Sequence, residues 1–434
     1  MRSPWTSLIS VFGIVLAAVA MAEAAPAQGS YTCHDHQATV VGTDGSDTIV
    51  GTPERDVVVA LGGDDSIEVF DGDDVVCGGS GNDSLKGGAG DDFLSGQGGF
   101  DVEFGSAGAD TLKSTGGYDG HYGDEMHAGS GADLIVGDRT GELIWPGRGN
   151  DRVFGGNPGE RDAVLFTGAG RGVHVDLALG RAYGQGHDKI HGVERVVGSS
   201  HDDTILGDWR INDLAGGETY EGGPERLGHD IIRGRGGIDF LFSVACGFST
   251  KPCPQSTSPL VGDDQLYGGI GPDYLGVDGL DNRADGGKGE DHFFLRTGEA
   301  SLHGGIGDDL FELRSGRATV EAGLGRDTLH FIGIETEVPA GPGLVDLSKG
   351  IATTPDVVAH VKEIENATGT SGDDRMIGNF APNRFRAFSG NDVLRGRAGY
   401  DALYGGPDVD EAYGGLGRDL CVDAETAKSC ERRR

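Results

Sequence analysis

Beyond its first 25 residues this 434-residue sequence has no long apolar run. The opening segment, 1–25, carries Arg2, an apolar stretch from Leu8 to Ala22 and small residues at Ala22, Ala24 and Ala25. That is the layout of a secretory signal peptide, too short and poorly flanked for a membrane anchor. With no second apolar run, the mature chain is expected to have no membrane span and to be secreted. Basic residues are also scarce: 35 Lys and Arg face 70 Asp and Glu, a formal charge of -35. Such a chain is repelled by phosphates, which argues against nucleic acid and for a cationic partner. Catalytic signatures are missing as well, with no HExxH helix, Gly-x-Ser-x-Gly elbow or P-loop. Carboxylates are so abundant that a pair at glycosidase distance would carry no weight. The chain is therefore expected not to be an enzyme.

Glycine is abundant, 81 residues, and it is strictly spaced. Residues 78–95 read GGSGNDSLK followed by GGAGDDFLS, two copies of a nine-residue unit. Gly78, Gly79 and Gly81, then Gly87, Gly88 and Gly90, permit a tight turn and leave backbone groups bare. Asp83 and Asp92 place a carboxylate at each turn. Leu85 and Leu94 follow in runs too short for a helix but sufficient for one rung of β-strand. Counting by nines, an Asp falls at 47, 56, 65, 74, 83, 92, 101, 110 and 119, and seven of the nine residues two places later are apolar, Glu103 and His121 being the exceptions.

The count continues with interruptions. Five extra residues precede Asp133, and the register resumes through Glu142 and Asp151 to Asp162. Asp203, Asn212, Glu221, Asp230 and Asp239 keep the spacing, a Pro-rich excess follows, and Asp264, Asp273, Asn282 and Asp291 resume it. Asp291, Asp309 and Asp327 then persist while Ala300 and Ala318 fill the alternate slots, so the repeat becomes eighteen residues. The last run is Asp374, Asn383, Asp392, Asp401, Asp410 and Asp419. Two stretches, 172–208 and 343–379, drop the glycine turn and echo each other: Val175-Asp176-Leu177 matches Val345-Asp346-Leu347, and Val193-Glu194 matches Ile364-Glu365.

This pattern resembles the RTX, or hemolysin-type calcium-binding, repeat family. The resemblance implies an all-β, right-handed parallel β-roll in which two nonapeptides make one coil and calcium sits between turns stacked on the same side. The cation wants six to eight oxygens at about 2.3 to 2.6 Å, which one turn with one Asp cannot supply. Asp65 with Asp83, eighteen residues apart, could, with glycine carbonyls completing the set. The expected metal-binding residues are Asp47, Asp56, Asp65, Asp74, Gly78, Gly79, Gly81, Asp83, Gly87, Gly88, Gly90, Asp92, Asp101, Asp110 and Asp119 in the first block. Asp273, Asp291, Asp309, Asp327, Asp392, Asp401, Asp410 and Asp419 follow in the later ones. Several calcium ions are expected, as a structural cofactor for a core too thin to hold by itself.

The expected divisions are a signal peptide at 1–25, a lead-in or cap at 26–40, and a first repeat block at 41–165. A longer-strand linker at 166–202 precedes a second block at 203–330, which carries a disulfide-tied loop near 243–260. A second longer-strand linker at 331–373, a third block at 374–420 and a Cys-bearing cap at 421–434 complete the chain. Six Cys in an exported chain suggest three disulfides, with fifteen connectivities open. Cys246 with Cys253 and Cys421 with Cys430 are the close pairs, leaving Cys33 with Cys77. Cys33, His34 and His36 could form a transition-metal cluster, but an end cap with Cys33 oxidised is the stronger expectation. The closing segment, RDLCVDAETAKSC, resembles the ends of secreted actinobacterial calcium-repeat proteins. The function expected is a calcium-stabilised structural, adhesive or surface-interaction role. A polysaccharide-acting enzyme built on the roll surface is the alternative, and a cytolysin, which needs a long apolar helical region, ranks below it.

Overall fold

The structure, a computed structural model, describes residues 31–116, 123–156, 161–218, 228–245, 263–333 and 341–433. Residues 1–25, expected as a signal peptide, and Asp119, His121, Glu221, Cys246 and Cys253 lie outside them. Among the described residues every regular element is a β-strand. Three residues after a repeat Asp, with the middle one apolar except at Glu103, form the rung: Ser66–Glu68, for example, or the first half of Ser84–Ala89. Within the uninterrupted repeats each strand pairs in parallel with the strands eighteen residues before and after it. Val75 lies between Val57 and Phe93, and Ser84 between Ser66 and Val102. Consecutive rungs therefore belong to alternate sheets, and the chain winds as a β-roll with a turn at each of two edges.

The core is one side chain wide per rung. Ile67, Leu85 and Met126 fill it from one sheet and Val58, Val76, Leu94 and Leu112 from the other, all buried. Phe293 and Phe311 stack ring on ring, with centroids 4.7 Å apart. Glu103 occupies one of these inward slots and is fully buried. Its Oε1 accepts the Gly96 N–H at 2.7 Å, where the pairing of Phe93–Gly98 with the next coil stops at Leu112. Burial first, then the Asp124 and Asp101 carboxylates, hold its pKa well above the usual range against the hydrogen bonds that lower it.

The segments expected as longer-strand linkers are instead antiparallel excursions with short strands. His174–Asp176 pairs antiparallel with Arg181–Tyr183, which pairs antiparallel with His187–His191. Leu344–Asp346, Ile351–Thr353 and Val357–Lys362 repeat the arrangement. Without the glycine turn the chain reverses at Leu177–Gly180, where the Leu179 N–H bonds to Asp176 Oδ1 and Gly180 takes a φ of 62°. The longest strands, Tyr274–Lys288 and His292–Ile306, lie in the second block. Past Ala300 and Ala318 the roll stays regular, with Ala300 paired to Ala318 and Leu302 to Val320.

Two disulfides close the ends: Cys33 joins Cys77, and Cys421 joins Cys430. His34 stacks on Phe93 at 4.1 Å, so the lead-in is an end cap. At the other terminus Thr426–Lys428 and Arg432–Arg433 add the last rungs.

Candidate metal centres along the roll edges

Each repeat Asp is held by a hydrogen bond running between coils. On one edge the Asp65 N–H donates to Asp83 Oδ1 at 2.8 Å, and the Asp83 N–H to Asp101 Oδ1 at 2.8 Å. On the other, Asp74 donates to Asp92 and Asp92 to Asp110, both at 2.9 Å. The eighteen-residue stacking expected from the spacing is thus the observed one, and Asp83 and Asp92 stand on opposite edges.

One carboxylate oxygen is satisfied by this bond; the second is not. Oδ2 of Asp65, Asp74, Asp83, Asp92, Asp101 and Asp110 is buried with no hydrogen-bond partner. The same holds for Asp273, Asp291, Asp309, Asp327, Asp392, Asp401, Asp410 and Asp419. A buried, unpaired carboxylate oxygen is costly. Burial accordingly pushes Asp92 and Asp101 up to about 7 and Asp83 and Asp110 to about 6, while the inter-coil hydrogen bond acts the other way and neighbouring carboxylates add to the rise.

The glycines divide the work of making this space. Gly78 has an ordinary backbone, but a Cβ there would lie 2.3 Å from Asp83 Oδ2 and 2.8 Å from the Gly96 carbonyl oxygen. Gly87 stands in the same relation to Asp92 Oδ2, at 2.3 Å. Gly79, Gly81, Gly88 and Gly90 instead take φ between 118° and 137°, which turns the chain and stacks carbonyls along the axis. Carboxylate and carbonyl oxygens thus converge beside each turn. Among the described residues no group of three His, Cys, Asp or Glu side chains is placed to hold a metal. A cation there would draw on one carboxylate per turn plus backbone oxygen, a donor set that suits a hard divalent ion.

Asp47 and Asp56 depart from this arrangement. Oδ2 of Asp47 accepts the Thr43 N–H at 2.6 Å and Oδ2 of Asp56 the Thr52 N–H at 2.6 Å, with the two hydroxyls adding second bonds. Each begins a stack, and a Thr stands where later repeats have a turn glycine. Ser199 and Thr370 do the same for Asp203 and Asp374.

The register also corrects the count by nines at the insertions. The carboxylate that accepts the Asp101 N–H belongs to Asp124, at 2.9 Å, rather than to Asp119. The five-residue offset therefore falls before that slot instead of after it. Asp203 stacks on Asp230 and Asn212 on Asp239, twenty-seven residues apart, so the stacking partner of Asp203 is Asp230 and not the Glu221 given by the count. Counting misses Asp188, whose Oδ1 accepts the Asp151 N–H at 3.1 Å across the first antiparallel excursion. It also misses Glu365, whose Oε2 accepts the Asp327 N–H at 3.0 Å. The echo between Val193-Glu194 and Ile364-Glu365 was the available signal for Glu365.

The family model for the RTX calcium-binding nonapeptide repeat matches residues 41–69, 68–103, 122–157, 261–275, 296–329, 368–403 and 386–421. These stretches contain many of the stacked turns, though not those of Asp110, Asp203, Asn212, Asp230, Asp239 and Asp291, and leave both antiparallel excursions unmatched. No curated protein matches the chain.

Proposed function

Because the chain is an RTX-type calcium-binding repeat protein, we propose that it works outside the cell as a calcium-held rod with a structural, adhesive or surface-interaction role, and not as an enzyme. The observation that carries this reading is the row of buried Oδ2 atoms on both edges, matched by glycines whose Cβ would collide with them. Asp65, Asp83, Asp101 and Asp124 on one edge, and Asp74, Asp92, Asp110 and Asp133 on the other, would hold the ions with neighbouring turn carbonyls. Calcium neutralises stacked carboxylates that otherwise repel each other and weaken the fold, so binding and folding are coupled. Affinity is expected in the extracellular range of about 0.1 to 1 mM. The disulfides fit an oxidising compartment. Calcium titration followed by far-ultraviolet circular dichroism tests the reading. The β signal should rise with calcium and fall with chelator, and an identical spectrum in both would overturn it. A cell-surface pull-down with and without chelator tests the role.

A further inference from the structure

The edge that carries Asp291, Asp309 and Asp327 has a second property that the metal does not explain. Between Asn212 and Asp419 most of its turns carry an apolar, exposed tip. Trp209, Ile270, Ile306 and Leu324 occupy the third turn position in their coils, and Ile211 and Ile238 the fifth. Beyond the second excursion Phe380 and Leu416 take the third position and Tyr400 the fifth. Trp209 is 72% exposed, Leu324 70%, Phe380 83% and Leu416 77%. The tips lie in line along the roll: Gly236 pairs with Ile270, Ile270 with Lys288, Lys288 with Ile306, Ile306 with Leu324, and Ala398 with Leu416. The Trp209 ring lies against Gly236, 2.7 Å from where a Cβ would be.

Charge on these turns departs from the rest of the molecule. Arg210, Lys288, Arg326, Arg397 and Arg418 are exposed on them, against Asp208, Glu290 and Asp308. Arg210 lies 4.0 Å from Glu194 and Arg418 3.7 Å from Glu431. Among the described residues the opposite edge over the same span carries Asp202, Asp263, Asp281, Glu299, Asp373 and Asp408, with Arg317 as its exposed base. Its exposed large apolar tips among the described residues are Leu280 and Val409. In a chain of formal charge -35, the apolar edge is where the basic turns collect.

We propose that this edge docks on an anionic lipid surface, with the apolar tips entering the headgroup layer and the basic turns facing the headgroups. The inference rests on the surface-interaction reading above and names its partner. A file of protruding side chains one residue wide, on the order of 40 Å long at about 4.8 Å per coil, offers no groove or continuous patch for a second protein to pack against. Separate tips are what a fluid interface accommodates. Trp and Tyr favour that interface, and Lys and Arg are drawn to anionic leaflets. The ligand carboxylates of this edge lie directly beneath the tips, so the tips are in line only while the turns are stacked.

The test uses the full chain in millimolar calcium with vesicles of phosphatidylglycerol and phosphatidylcholine, and with phosphatidylcholine alone. The protein should sediment with the anionic vesicles, and its emission should shift to the blue through Trp209, a shift that Trp209→Phe abolishes. The triple variant Leu324→Ser, Phe380→Ser, Leu416→Ser should keep the calcium-dependent dichroism and bind at least about tenfold more weakly. The pair Leu280→Ser, Val409→Ser should bind as the unsubstituted protein does. Three results would overturn the proposal: a calcium-folded protein that stays in the supernatant, a triple variant that sediments unchanged, or a dimer by light scattering that the triple variant dissolves, which would assign the edge to a second copy. Loss of the calcium-dependent dichroism itself would instead count against the calcium-held rod.

Discussion

Between residues 286 and 330 the two edges of the roll share the same coils and solve the same turn in opposite ways. On one, Gly286 and Gly304 stand five residues before Asp291 and Asp309, and the carboxylate fills the space that a Cβ would take, at 2.2 and 2.3 Å. On the other, Leu295 and Leu313 stand five residues before Ala300 and Ala318, and all four are buried. Apart from Ala322, which stands five residues before Asp327, the exchange is paired, Gly with Asp or Leu with Ala. A buried Leu contributes about 1.5 to 3 kcal/mol without any ion. Both edges keep the parallel register, so the ladder and the single-file core define the coil. The carboxylates are an addition that makes the coil's stability conditional on a cation.

That contrast is sharpened most by removing calcium and following amide hydrogen exchange. With chelator, protection should be lost throughout 57–116, where both edges carry Asp, and retained longer in 293–331, where one edge is apolar. Equal loss in the two segments would break the comparison. The next largest effect is expected at Phe311, which serves both edges through the core. Phe311→Ala should cost about 3 to 5 kcal/mol in denaturant titrations in calcium, and a cost below about 1 kcal/mol would show that the stack with Phe293 is loose.

Asp309→Ala tests the conditional part alone, and its sign should depend on the metal. In calcium the variant loses a ligand shared with Asp291 and Asp327, and its thermal midpoint should fall. In chelator it loses a buried unpaired oxygen, worth about 1 to 3 kcal/mol, and the midpoint should rise. A fall in both conditions would make the inter-coil hydrogen bond the dominant role of Asp309.

Proton linkage provides a gentler version of the same test. Burial, opposed by the inter-coil hydrogen bond and assisted by neighbouring carboxylates, pushes Asp291 and Asp309 up to about 7. The folded state therefore holds protons that the unfolded chain, with a pKa near about 3.9, has released. In chelator, stability should be greatest at acidic pH and decline as pH rises through about 7. Denaturant midpoints at pH 5 and pH 8 check the direction, and saturating calcium should flatten the profile. The smallest effect is expected at the start of a stack, where Thr52→Ala should cost about 1 kcal/mol and Thr52→Ser very little. Thermal midpoints in calcium distinguish the two.

Most of this architecture was legible because the repeat is short and its physics local. A glycine turn, a carboxylate and a three-residue rung fix strand type, coil length and edge, and the substitution of Ala300 and Ala318 announced a one-sided segment. The insertions were not legible. Whether extra residues loop out before or after a slot depends on which Asp meets the waiting N–H, and Asp119 and Asp124 are equivalent to a count by nines. Asp188 and Glu365 were hidden because their slots are reached through antiparallel excursions, across which sequence separation no longer measures height along the axis. Nor does spacing distinguish Asp47 and Asp56 from later repeats; the distinction lies in Thr43 and Thr52, four residues earlier, where the eye expects glycine.

The hydrogen bonds of the repeat Asp residues run from a backbone N–H to the carboxylate of the coil that follows, whereas the residue just before donates to the preceding coil, as the Asn82 N–H does to Asp64 and the Asp91 N–H to Asp73, so the rod has a head and a tail. At the head the first carboxylates have no preceding coil to serve, and Thr43 and Thr52 occupy them. At the tail the Asp410 N–H has no following Asp, and Glu425 accepts it at 2.6 Å. The N–H of a repeat Asp is satisfied only once the following coil is in place, and the residue before it only once the preceding one is. The Glu425 segment beside the Cys421–Cys430 crosslink thus gives Asp410 the acceptor that a further repeat would otherwise have to bring.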